Sequence, residues 1–161
     1  MLTARDVMTR DVRSARAEWS LEELASFLTS NAITGAPVLD SQDKLVGIVS
    51  TTDLVRNRMP DHLDFPDSAA MHDRAYEGGI PPSELEGYGI EGGSTMSVSE
   101  IMTPIVFDCA EDTPVNEIAD AMIRGRIHRV IVTRRGRAVG IVSSLDLLRI
   151  VRDMATKAAA E

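Results

Sequence analysis

Two stretches of the chain carry apolar residues at helical spacing. Beside each lie short runs of branched residues that read as strands, and the whole arrangement occurs twice in the same order. In the first, Leu21, Leu24, Ala25 and Leu28 fall on one helical face, and Ser20 with Glu23 has capping-box spacing, so a helix begins near Ser20. Its counterpart opens at Thr113, with Pro114 as the expected first helical residue and Val115, Ile118, Ala119 and Met122 as the apolar face. A short extended segment precedes each helix, at 11–15 and 105–109. Two strands joined by polar turns follow, 36–39 with 45–50 and 129–133 with 138–143, and a closing helix is expected after Asp53 and after Asp146. Each copy thus reads strand, helix, strand, strand, helix.

The wording repeats as well as the pattern. GIVSTTDLVR, starting at Gly47, returns as GIVSSLDLLR at Gly140; DVMT at Asp6 returns as EIMT at Glu100; ITGAPVLD at Ile33 returns as IHRVIVTR at Ile127. The offset is 94 residues up to the second strand and 93 after it, so one residue is lost where the turn SQDK becomes RRG. A match interrupted only in a turn marks a duplicated structural unit. The boundaries are a first repeat at 1–58, a Gly/Pro-rich acidic insertion at 59–96, a second repeat at 97–155 and a tail at 156–161. A small sheet with two helices leaves one face uncovered, so the two repeats are expected to pack together in an α/β (α+β) fold. Leu54, Val55, Leu147, Leu148 and Val151 on the closing helices are apolar material for that contact or for a further subunit.

Composition narrows the chemistry. With 161 residues the chain can bury roughly 70% of its unfolded surface. No apolar run approaches the roughly 20 residues of a membrane span, and the start MLTARDVMTR has no signal-peptide character, so a soluble cytoplasmic protein without membrane association is expected. The single Cys109 excludes an internal disulfide. A net charge of −8 argues against general nucleic-acid binding. Arg124, Arg126, Arg129, Arg134, Arg135 and Arg137 nevertheless crowd one stretch of the second repeat, which suits a small anionic ligand. No nucleophile–base pair stands out, so no catalytic residues are expected. His62 and His72, with Asp61, Asp64, Asp67 and Asp73 around them, lack the tight spacing of metal motifs, and no metal site is expected. The insertion is longer than most connections, and Phe65, Tyr76 and Tyr88 argue that part of it packs on the protein's own surface or on a partner.

The sequence Gly-hydrophobic-hydrophobic-Ser-x-x-Asp, present in both copies after two strands, resembles the tandem CBS domains named after cystathionine β-synthase, whose pair forms a Bateman module. Ser50 with Asp53, and Ser143 with Asp146, sit where a strand gives way to a helix N-terminus, a natural seat for phosphate. The resemblance implies that the aspartates accept from ribose hydroxyls and the serines meet phosphate; the plain alternative is a helix cap. It also implies that Ile48, Ile141, Ile33 and Ile127 flank adenine, with ordinary core as the alternative. His128 and Arg129 resemble a basic pair that meets phosphates, against a solvated basic edge, and the first repeat has Thr34 and Gly35 there. Thr113 matches a nucleotide-contacting cap position whose counterpart is Trp19, so two unequal sites are expected. The module is expected to be regulatory, not an enzyme, and to need no cofactor. Its expected ligand is AMP, ADP or ATP, with S-adenosylmethionine or NADH as alternatives. A homodimer formed through helices and an effector protein are the implied partners. A structural or interaction module with empty clefts is the competing reading.

Overall fold

The computed structural model describes residues 1–58, 80–88, 94–104 and 106–159. Its elements are α1 (Ala4–Val7), β1 (Ala15–Arg16), α2 (Leu21–Ser30), β2 (Gly35–Leu39), β3 (Leu45–Ser50) and α3 (Thr51–Arg58), then a 3₁₀ helix (Pro82–Tyr88), α4 (Val98–Ile101), β4 (Asp108–Ala110), α5 (Val115–Gly125), β5 (Arg129–Arg134), β6 (Arg137–Ser143) and α6 (Ser144–Ala158). They divide into two compact units, Arg13–Ile105 and Met1–Val12 with Val106–Glu161. Each holds a three-stranded sheet, β1-β2-β3 or β4-β5-β6, with a parallel first pair and an antiparallel second pair.

The expected order of elements is present in both units, with local corrections. The extended segments expected at 11–15 and 105–109 become strands only at Ala15–Arg16 and Asp108–Ala110. The sheet partner decides this: Ala15 and Arg16 lie beside Val38 and Leu39, and Asp108 to Ala110 beside Ile131 to Thr133. Pro114 is the N-cap of α5 and not its first helical residue. Asp53 and Asp146 stand inside the first turn of α3 and α6, whereas the helices were expected to follow them. The deletion sits at the β5–β6 turn, where Arg134 pairs with Arg137 across Arg135 and Gly136, both at positive φ (53° and 76°). Two positive φ angles are what a two-residue hairpin turn of this hand requires.

The repeats and the compact units are not the same thing. Residues 1–12 belong to the unit that holds the second repeat's sheet, and residues 97–105 lie in the unit that holds the first repeat's sheet. Thr9 N–H donates to the Ile141 carbonyl (2.9 Å) and Ile141 N–H to that of Thr9 (3.0 Å), so the first repeat's DVMT lines the β6 edge. Thr103 and Ile48 exchange the same two bonds at 2.8 and 2.9 Å along β3. The glycine that opens each GIVS motif follows from this. A Cβ on Gly47 would stand 2.6 Å from Met102 Sδ and 2.8 Å from the Thr103 carbonyl, and one on Gly140 would overlap Met8. The methionine of each M-T pair therefore needs a glycine opposite, and the two motifs are one packing unit read from two places in the sequence.

In the first unit Leu21, Leu24, Leu28, Val38, Val49, Leu54 and Val55 form the core, joined by Ile80 and Leu85 from the insertion. Part of the insertion thus packs through aliphatic residues, with the 3₁₀ helix against α2 and α3. Phe65 and Tyr76 lie outside the described residues. Leu54 and Val55, expected as contact material, are fully buried here. In the second unit Ala4, Met8, Ile118, Met122, Val130, Val132 and Val142 form the core. Leu145, Leu148, Val151 and Met154 of α6 are 60–66% exposed. Among the described residues no helix is long and apolar enough to cross a membrane.

Candidate functional site

Side chains alternate along β3 and β6, so Val49 and Val142 turn into their cores while Ile48 with Ser50, and Ile141 with Ser143, share the other face. Ile48 and Ile141 are half-buried and outside the core clusters, whereas Ile33 and Ile127 pack against theirs. Each strand then runs into a helix at its serine. Ser143 Oγ and N–H donate to Asp146 Oδ2 at 2.6 and 2.8 Å, and the Asp146 amide returns a bond to Ser143 Oγ at 3.3 Å. Ser50 and Asp53 repeat the pattern, with both serine donors 2.8 Å from Asp53 Oδ2. The helix-cap role is therefore real in both copies.

Capping alone does not set these aspartates apart. Thr3 with Asp6, Ser20 with Glu23 and Ser97 with Glu100 form the same reciprocal box at other helix starts. Burial does set them apart. Asp6, Glu23 and Glu100 are exposed, but Asp53 is half-buried and Asp146 is buried. Asp6 is held below the ordinary carboxyl pKa by the Thr3 amide and hydroxyl. Asp53 is pushed above it by desolvation, which outweighs the bonds from Ser50 and the charge of Arg56. A carboxylate kept in a desolvated strand–helix junction is poorly explained by capping, since an exposed acid caps as well. Next to Asp53, Thr51 is fully buried and its hydroxyl has no hydrogen-bond partner among the described residues.

The sheets bring further groups to the same ends. Gly35 lies opposite Ser50, and Thr51 N–H donates to the Thr34 carbonyl at 2.9 Å. In the second unit Arg129 lies opposite Ser143, and Ser144 N–H donates to the His128 carbonyl at 3.0 Å. The basic pair therefore adjoins the N-terminus of α6, Arg129 as the cross-strand partner of Ser143 and His128 through its backbone carbonyl. Arg149 also reaches it, with Nη1 2.8 Å from Asp146 Oδ1. Burial lowers the Arg129 pKa from its ordinary value, yet a guanidinium stays charged at neutral pH.

Thr113 is not brought there. It follows β4 at the end of the sheet where Ala110 pairs with Thr133, about 13 Å along β5 from the Arg129–Ser143 pair. Its carbonyl accepts from Ala4 N–H at 2.8 Å, and Cys109 lies four residues before it on β4. Burial, the largest influence, holds the Cys109 thiol above its ordinary pKa. What sequence reasoning missed were Thr9 and Thr103, which lie along the strands that carry Ile141 and Ile48. The signal was available in the co-repetition of M-T with GIVS, but only the fold says that each M-T meets the other repeat's glycine. His62, His72 and the acids around them lie outside the described residues.

The CBS domain profile matches residues 4–59 and 98–153. The chain is 33% identical to the CBS domain of a CBS domain-containing membrane protein from Sphaerobacter thermophilus, with a TM-score of 0.67 and 92% and 86% of the two chains covered. The CBS domain pair of MJ0100, solved with 5′-methylthioadenosine and S-adenosyl-L-methionine, is 25% identical with a TM-score of 0.66 and coverage of 95% and 98%. Among curated proteins, the uncharacterized MJ1426 of Methanocaldococcus jannaschii is 25% identical over 92% of this chain and 90% of its own. The chain spans only 23% of that organism's inosine-5′-monophosphate dehydrogenase, which is also 25% identical. Two matched repeats, two three-stranded units and a Ser-x-x-Asp helix start in each place the chain in the CBS domain family as a tandem pair.

Proposed function

We propose that the chain is a regulatory module that binds an adenosine-containing ligand, AMP, ADP or ATP, and passes its occupancy to a partner protein. One observation carries the reading: the second unit gathers Ser143, buried Asp146, His128 and Arg129 at the N-terminus of a 15-residue helix. Such an end offers amides and partial positive charge to phosphate, a guanidinium fork to its oxygens, and a carboxylate to ribose hydroxyls. Ile141, on the same face as Ser143, supplies an apolar surface for the base. The adenosyl ligands of the MJ0100 pair support the ligand class. In the first unit, Thr34, Ser50 and Asp53 form the weaker counterpart, without the basic pair, with Ile48 in the place of Ile141. The role is binding and not catalysis. A ligand acts on the partner only through its different affinity for two states of the module.

The same reading includes a homodimer. Val55 is buried, while its equivalent Leu148 is 60% exposed together with Leu145, Val151 and Met154 on α6. An apolar stripe along one helix suits a self-complementary contact with a second copy.

Thermal scans of ligand-stripped protein with AMP, ADP, ATP, NADH and S-adenosylmethionine test the ligand class. A ligand at 100 times its dissociation constant adds about 2.7 kcal/mol, which corresponds to a rise of roughly 5 to 10 °C for a protein of this size. The expected result is a rise with an adenine nucleotide. No rise with any of the five at millimolar concentration would sink the proposal and leave a ligand-free interaction module.

A further inference from the structure

The second unit carries another concentration of positive charge, at the opposite end of its sheet. Arg134, Arg135 and Arg137, with Val139, line a cavity of about 510 Å³ at the β5–β6 turn. Arg134 and Arg137 are cross-strand partners, a like-charge pair that costs stability when nothing lies between. One carboxylate, Glu111, stands nearby and is shared: its two oxygens lie 3.5 Å from Arg134 Nε and 3.6 Å from Arg5 Nε. Among the described residues no acid pairs with Arg135 or Arg137, and Asp108 and Asp112 of the β4 turn are not part of the lining.

The equivalent turn of the first unit is built the other way. Asp40 Oδ1 accepts from the amides of Gln42 and Lys44 at 2.8 and 3.0 Å, and Arg16 pairs with Asp43 at 2.6 Å. That turn neutralises itself; the second concentrates cations in a chain whose net charge is −8. We propose that the β5–β6 hairpin end is a binding site for a compact anion carrying two or more phosphate groups. Three guanidinium forks can share several phosphate oxygens, and among the described residues the lining offers no ring on which a base could stack. From Arg129–Ser143 to Arg134–Arg137 is five residues of β5, about 16 Å, so this site is separate from the nucleotide site and does not depend on it.

Titration calorimetry with tripolyphosphate tests it in full-length Arg129→Ala protein, where the other basic site is weakened. Binding is expected there, weakening as salt rises, and adding Arg135→Ser and Arg137→Ser should cost at least tenfold in affinity. Removing the like-charge pair should leave the melting temperature equal or higher. Arg135→Glu, a single change at an exposed turn position, should give a similar loss if the multiple variant fails to fold. Absence of binding in the Arg129→Ala protein, or equal binding after the added substitutions, would overturn the proposal. So would tight binding of a hexaglutamate peptide in place of tripolyphosphate.

Discussion

Two copies of one unit have diverged along two lines, and both are visible at equivalent positions. The first unit's closing helix is covered: Leu54 and Val55 are buried, and Ile80 and Leu85 from the insertion join them in the core. Its strand–helix junction has Thr34 and Gly35 beside Ser50, without a basic side chain at either place. The second unit has the reverse. Its α6 carries an exposed apolar stripe, and its junction carries His128 and Arg129 beside Ser143 and Asp146, whereas Arg149 has its equivalent in Arg56 of the first unit. The shared skeleton is what packing demands of both copies, while the differences lie where nothing in the unit's own core requires them. These differences carry the proposed ligand and partner sites.

The largest expected effect concerns the bare helix. Leu148→Glu with Val151→Glu should convert a dimer to a monomer in sedimentation or light scattering, because charges would face each other across a desolvated contact. Val55→Glu should instead unfold the first unit, since Val55 is fully buried. A wild-type monomer at high concentration would remove the dimer from the account.

Next in size are the two aspartates. Asp146→Ala and Asp53→Ala remove carboxylate acceptors whose hydrogen bonds are worth about 1.5–3 kcal/mol, so each should weaken ligand at its own site by roughly tenfold to a hundredfold. Calorimetry on the folded single variants should show the Asp146 change dominating for nucleotides with phosphates. Wild-type binding in both would reduce the motif to one more capping box of the kind that Asp6, Glu23 and Glu100 form.

The smallest effect is a pH dependence. Because the folded protein holds a proton on Asp53 more readily than the unfolded chain does, stability falls as pH rises from the ordinary carboxyl value of about 3.8 through the raised folded pKa. Asp53→Asn lacks that titration. Denaturant unfolding across this window should therefore show wild type losing ground to the variant as pH rises. Asp6, with its pKa displaced the other way, contributes stability above 3.8 that is lost as pH falls through its folded value. A wild-type-to-Asn difference that does not change with pH would contradict the desolvation of Asp53.

Much of this was legible in the sequence because a duplication checks itself. The helix at Ser20, the strands that end at Ser50 and Ser143, and the position of the lost turn residue all follow from local patterns written twice. What was not legible depended on long-range partners. Residues 11–14 have strand-like neighbours, yet strand structure starts only at Ala15, where Val38 supplies the pairing. Thr113 matches a cap in sequence, but the parallel β4–β5 pairing carries it to the far end of the sheet from Ser143. Leu54 and Leu147 are the same residue in the two copies, yet the first is fully buried in a core that Ile80 and Leu85 join and the second is partly exposed. The exchange of DVMT and EIMT between units is the clearest case, since both motifs look local and neither is.

Titration of adenosine and ATP into ligand-free wild type and Arg129→Ala at two salt concentrations tests whether the basic pair of the second unit reads phosphate. The substitution should weaken ATP about tenfold or more, leave adenosine within a few-fold, and reduce the salt dependence of ATP binding, because a charge-assisted contact to phosphate has gone while base and ribose contacts remain. An equal loss for adenosine and ATP would contradict it and assign Arg129 to shaping the fold.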